Sequence, residues 1–219
     1  MSGAYSENSS HIFLGDAENR MLLDFGVSYN RRLRLNHVVN WQYSAELVPV
    51  ALESDPVLID VSSTTTTSTT PPGLPETIIL TSSNPIVGAC HPASGSGTFS
   101  TSTYTYSYTF VDTCTRRWTI GEAMSPIGFE WNFLPHHTRQ PFATAHGGYM
   151  YTTQPIPVTN AGSFNFTFDF GAGVELYRSR TRSIRAEGRF HHISNNNTAT
   201  ANPGIDNLLF QVTYVFGRQ

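Results

Sequence analysis

Apolar and polar residues alternate along most of the chain with a period of two. From Met21 to Tyr29 the odd positions are Met, Leu, Phe, Val and Tyr, with Leu, Asp, Gly and Ser between them. From Val39 to Ala51 the odd positions are Val, Trp, Tyr, Ala, Leu, Pro and Ala, opposite Asn40, Gln42, Ser44 and Glu46. Ile127, Phe129, Trp131 and Phe133 alternate with Gly128, Glu130 and Asn132. In "FNFTFDFGAGVEL" the phenylalanines Phe164, Phe166, Phe168 and Phe170 form one row and Asn165, Thr167, Asp169 and Glu175 the other. Side chains of a strand point alternately to opposite faces, whereas a helix would scatter such a row around its axis. The pattern predicts strands.

Turn-forming clusters separate these runs: "LPHHTRQP" at 134–141, "PVTNAGS" at 157–163, "RSRTR" at 178–182 and "NNNTATANPG" at 195–204. A short first strand near His11–Leu14, one at Phe142–Thr153 and two runs after residue 182 bring the expectation to about eight, the smallest size common among membrane barrels. Closing such a set leaves no unpaired edge. Residues 55–119 interrupt the scheme with "STTTTSTTPPGLP" and "SSNPIVGACHPASGSGTFSTSTYTYSYTF". Their Thr/Ser/Pro bias reads as a long loop, with Tyr104, Tyr106, Tyr108 and Phe110 as a strand extension. The fold class expected is all-β: an eight-stranded antiparallel transmembrane β-barrel over residues 1–219, with 55–119 a long extracellular loop insertion.

Two solvents fit a barrel with one apolar face. A lipocalin-like barrel turns it inward, a membrane barrel outward onto lipid. The apolar face here is rich in Phe, Trp and Tyr, too bulky for a narrow interior. The opposite face mixes Asp24, Glu46, Glu130, Asp169, Glu175, Arg185, Glu187 and Arg189 with glycines, as a salt-bridged plug would. The membrane reading is preferred.

Composition agrees with that choice. Charged residues are 13% and aromatics 12% of the 219 residues, against about 25% charged in average soluble domains. The net charge of -3 argues against a nucleic-acid partner. "MSGAYSENSSHIFLGD" lacks a basic start and apolar core, so a secretory leader is expected to have been removed or to be missing. Cys90 and Cys114 match no metal spacing; a disulfide is favoured over two free thiols.

Strand parity singles out one polar group on the oily face. Ile184, Ala186, Gly188 and Phe190 are apolar, opposite Arg185, Glu187, Arg189 and His191; His192 and Ser194 continue the outward row. On the last strand Leu208, Phe210, Val212, Tyr214 and Phe216 face out, Asn207, Gln211 and Thr213 face in, and Asp206 starts the outward row. A hairpin symmetric about Ala199 sets His192 opposite Asp206, with Cβ atoms about 4.5–5.5 Å apart. Ser194 follows about 6.5–7 Å along the strand. Hydroxyl, imidazole and carboxylate then stand in the order of an acyl-transfer triad. The plainer reading is that polar residues collect at strand ends, where they meet headgroups and water. His136 and His137 read as turn residues on the periplasmic side, and His146 and His191 as interior groups.

"RFHHISNNNTATANPGIDNLLFQVTYVF" resembles the C-terminal hairpin of the lipid A 3-O-deacylase family, also labelled acyloxyacyl hydrolases. The matching residues are His192, Ser194 and Asn195, then Asn202, Pro203 and Gly204, then an acid twelve residues after the serine. "SPIGFEWNF", "QPFATAHGGYMYTTQPIP" and "FNFTFDFGAGVELY" look like that family's preceding strands. The resemblance covers 123–219, is weaker over 20–54 and is absent across 55–119. It implies an outer-membrane serine esterase that removes an ester-linked hydroxyacyl chain, at the 3-position, from lipid A of lipopolysaccharide. Ser194 would be the nucleophile, His192 the base and Asp206 the orienting acid. Asn195 would lie near the oxyanion, with Asn202 and Gly204 supporting. The family's acid is Glu, so Asp206 is one methylene short. The expected partners are lipopolysaccharide and outer-membrane lipid, with a homodimer an open option; no cofactor or metal enters the scheme. The competing functional reading is a non-catalytic barrel whose 55–119 segment binds a surface partner.

Overall fold

The computed structural model describes residues 1–68, 77–179 and 181–217. Its regular structure is β1 (Ser2–Ser6), β2 (Met21–Leu35), β3 (Val39–Ser68), β4 (Thr77–Val87), β5 (Ala93–Ser100), β6 (Tyr104–Phe133), β7 (Arg139–Thr152), β8 (Phe164–Ser179), β9 (Arg182–Ser194) and β10 (Ile205–Phe216). Among the described residues there is no helix. The sheet order is β4-β3-β2-β1-β10-β9-β8-β7-β6-β5, and a further pairing of β3 with β6 closes eight of the strands into a ring. Around the ring, the ladders from β6 through β10 to β1, β2 and β3 are antiparallel.

The chain divides into two compact units, Met1–Asp55 with Trp118–Gln219, and Pro56–Arg117. The first is inside out by the standards of a soluble domain. Phe164, Phe166, Phe168, Phe170, Leu208, Phe210 and Tyr214 are exposed, while Asn165, Thr167, Asp169, Glu175, Asn207, Gln211 and Thr213 are buried. An exposed apolar wall around a buried polar interior fits lipid outside, not water. With eight strands the interior is just wide enough to be filled by side chains. Arg189 fills much of it, bonding Glu46 through both terminal nitrogens at 2.7 and 3.0 Å and Glu187 at 3.1 Å. Arg185 bonds Glu130 at 2.7 Å and lies 3.9 Å over the Phe142 ring. An apolar cluster that includes Leu22, Met150, Ile193, Ile205 and Leu209 packs the interior at the end of the ring where β9 meets β10.

Two expectations need correction. The first strand is Ser2–Ser6, not His11–Leu14. Residues 12–14 form a bend instead, because the backbone N–H groups of Phe13 and Leu14 serve a carboxylate rather than a ladder. The segment 55–119 is largely strand, not loop. Within the second unit β3 pairs with β4 from Val57↔Val87 to Thr67↔Thr77, and β5 pairs with β6. Threonine is β-branched and suits a pleated sheet, so a low-complexity Thr run does not imply a loop. The strand extension through Tyr104–Phe110 is present as the start of β6. Cys90 and Cys114 are disulfide-bonded in this unit. The "TTPPGLP" end of the low-complexity root and part of the "RSRTR" turn lie outside the described residues.

Candidate active site

The hairpin of β9 and β10 is symmetric about Ala199. Asp206 pairs with His192 and Ile205 with Ile193. The connecting loop reverses through Asn196 and Asn197, both at positive φ (51° and 59°), a conformation Asn tolerates better than most residues. Gly204, at φ 62°, re-enters the strand. A Cβ there would stand 3.2 Å from His192 Cε1 and 3.3 Å from the Gly15 Cα, so glycine suits both the backbone and the crowding.

Asp206 and His192 face the same way and touch: Nδ1 lies 2.6 Å from Oδ1. The shorter acid therefore spans the strand pair directly. With Asp206 as acceptor, Nδ1 carries the imidazole proton and Nε2 the lone pair. Phe168, next on the outward row of β8, lies against the His192 ring at 5.1 Å between centroids. Ser194 is held differently. Its Oγ accepts from Asn196 N–H at 3.2 Å and from Asn202 Nδ2 at 3.4 Å, and does not bond the imidazole. The Asn202 amide has a defined orientation, since its Oδ1 accepts from Asn195 N–H at 3.0 Å. Asn195, expected beside the oxyanion, directs its Nδ2 to the Ala201 carbonyl at 2.7 Å. The donors nearest the Ser194 hydroxyl are thus Asn196 N–H and Asn202.

A third element completes the site, and the sequence reading missed it. Residues 9–17 lie across the outward row. Asp206 Oδ2 accepts from Phe13 N–H at 2.7 Å and Leu14 N–H at 2.9 Å. The Phe13 ring meets Phe190 edge-on at 5.2 Å. Phe190, His192 and Asp206 have the parity of lipid-facing residues and are nevertheless buried. No signal in "HIFLGD" announces this, because its partners are almost two hundred positions away.

The ring interior holds a second Ser–His–Asp set. His146 Nδ1 lies 2.9 Å from Asp169 Oδ1, and Nε2 lies 3.1 Å from Ser44 Oγ. All three are buried among charged neighbours, with Arg189 Nε 3.4 Å from Asp169. They read as a satisfied interior network. Glu46, His146 and Asp169 also bring three ligand-type atoms within 4.8 Å of one another. A guanidinium already supplies the positive charge there. A cavity of about 1320 Å³ lies at the opposite end of the ring around Arg32, Asn40, Gln42 and Glu175, away from Ser194.

The family model for lipid A 3-O-deacylase (PagL) matches residues 92–215, more than half of the chain. The chain belongs to the lipid A 3-O-deacylase (PagL) family. Its fold is similar to a crystal structure of the outer membrane enzyme PagL, with 12% identity, a TM-score of 0.53, and coverage of 99% of this chain and 98% of that one. No curated protein matches the chain. The family match starts at residue 92, inside the segment expected to lack resemblance, and it includes the β9–β10 hairpin. Loop 9–17, which holds Asp206 from the outside, precedes the stretch that the family model matches.

Proposed function

We propose that this chain is an outer-membrane serine esterase that removes the 3-position acyl chain from lipid A of lipopolysaccharide, with Ser194, His192 and Asp206 as its triad. The observation that carries the assignment is the 2.6 Å contact between His192 and Asp206 on the outward row, with Ser194 next along the strand. The proposal requires Ser194 Oγ to turn toward Nε2 when substrate binds; such contacts are often loose before then. Both contacts of the hydroxyl in this structure have it as acceptor, which leaves its own proton free to be donated.

In the proposed reaction Ser194 Oγ attacks the acyl carbonyl while Nε2 takes its proton. Asp206 stabilises the imidazolium. In this reading Asn196 N–H and Asn202 Nδ2, which both donate to Ser194 Oγ, serve as the oxyanion donors, a contribution of about 3–4 kcal/mol per donor in comparable sites. The bond between the acyl carbonyl carbon and the sugar's 3-oxygen breaks, and the imidazolium gives its proton to that leaving oxygen. Water, deprotonated by His192, then hydrolyses the acyl-enzyme. A triad on the outer wall meets an acyl ester of the outer leaflet without extracting it from the bilayer.

Mass spectrometry of lipid A from cells producing the protein tests this directly. Loss of one hydroxyacyl chain is expected. Unchanged lipid A beside a well-folded barrel would favour the non-catalytic reading.

A further inference from the structure

We propose that loop 9–17 is a positioning arm for the catalytic acid, acting through the backbone N–H groups of Phe13 and Leu14. The inference deepens the triad reading and rests on it. The arm is built, not draped. Ser9 bridges Asn207, and Ala17 bridges Ile205 in parallel. Ser10 N–H donates to the Asp206 carbonyl at 3.2 Å, Asp16 N–H to Pro203 at 2.6 Å and Ala17 N–H to Gly204 at 3.0 Å. The His11 ring closes the arm on itself, with Nδ1 2.8 Å from the Gly15 carbonyl. The arm is therefore anchored on both sides of Asp206, and its apex supplies the two donors.

Gly15 makes the approach possible. A Cβ at that position would lie 2.6 Å from Asp206 N and 3.0 Å from its Cγ, so any side chain would push the apex off the carboxylate. One carboxylate oxygen is fixed by two amides and the other by His192. An Asp held this way cannot rotate off the imidazole. A carboxylate on an open strand face could, because one strand neighbour alone does not define its χ2. Phe13 and Leu14 are 65% and 60% exposed, so what the arm gives the site is backbone rather than side-chain packing at Leu14.

The test is a double-mutant cycle read by lipid A turnover in mixed micelles. Leu14→Pro deletes one N–H and keeps an apolar side chain; Leu14→Ala keeps the N–H and trims the side chain. Leu14→Pro removes a bond to a charged group and should lower kcat on the order of tenfold or more, with KM little changed. In an Asp206→Ala background the same change should cost less than about twofold, since the group it acts through is gone. Gly15→Ala should follow the same pattern and serves where Leu14→Pro yields no heat-modifiable barrel. Equal losses in both backgrounds, or no loss in the wild type, would overturn the arm's role. Full activity in Ser194→Ala would instead overturn the triad, a separate outcome.

Discussion

Asp206 Oδ1 lies 2.6 Å from His192 Nδ1 across a strand pair that sets the two residues face to face. Both residues lie on strands, and loop 9–17 fixes the other carboxylate oxygen of Asp206. The distance is set by the ladder spacing and by an acid short enough to fit within it. Replacing Asp206 with Asn puts an N–H₂ donor within reach of Nδ1 and favours the tautomer in which Nε2 carries the proton. Deacylation should then fall on the order of 10³–10⁴-fold, as should that of His192→Ala. Both variants should keep heat-modifiable migration in detergent gels.

Asp206→Glu installs the longer acid that the resemblance leads one to expect and should still be slower than the wild type. The extra methylene has to fit between His192 at 2.6 Å and the two amides of loop 9–17 at 2.7 and 2.9 Å. A displacement near 1 Å in a reacting constellation can cost about 100-fold. Steady-state turnover of purified lipid A by the two proteins measures it.

Asn202→Ala should lower kcat by about 10²–10³-fold if its Nδ2 bonds the oxyanion. Asn195→Ala should have the smaller effect on kcat and the larger on stability. The Asn195 Nδ2 already serves Ala201, and its loss leaves a part-buried carbonyl without that donor. Comparing the two variants for kcat and for thermal unfolding separates the roles.

Ser44→Ala should leave deacylation within about twofold of wild type. Its hydroxyl bonds His146 Nε2 in the ring interior, so the loss should appear as about 1 kcal/mol of stability. The readout is the temperature at which the folded gel band converts to the unfolded one.

Strands whose two rows differ in polarity were legible before any coordinates. The phenylalanine row of 164–170 could only be strand, and the face it takes follows from its bulk. The opposition of His192 and Asp206 was expected for a last hairpin symmetric about Ala199, and the ladder has that register. Loop 9–17 was not legible. Its amides bond a carboxylate 193 and 192 positions away, and nothing local distinguishes an N–H meant for a side chain from one meant for a ladder. The Ser44–His146–Asp169 set escaped for the same reason, its serine and histidine being 102 positions apart. In the Thr-rich segment composition misled. A run such as "STTTT" satisfies the criteria for low complexity and, through its β-branched side chains, those for a strand.

If the outward-facing Ser194 is the nucleophile, a covalent ester probe should mark it. Protein with demonstrated lipid A turnover is treated with a long-chain alkyl fluorophosphonate, digested, and mapped by mass spectrometry. The adduct is predicted on the peptide carrying Ser194, absent in His192→Ala, with turnover lost in step with labelling. An adduct on Ser44 instead, or loss of activity with Ser194 unmodified, would contradict the account.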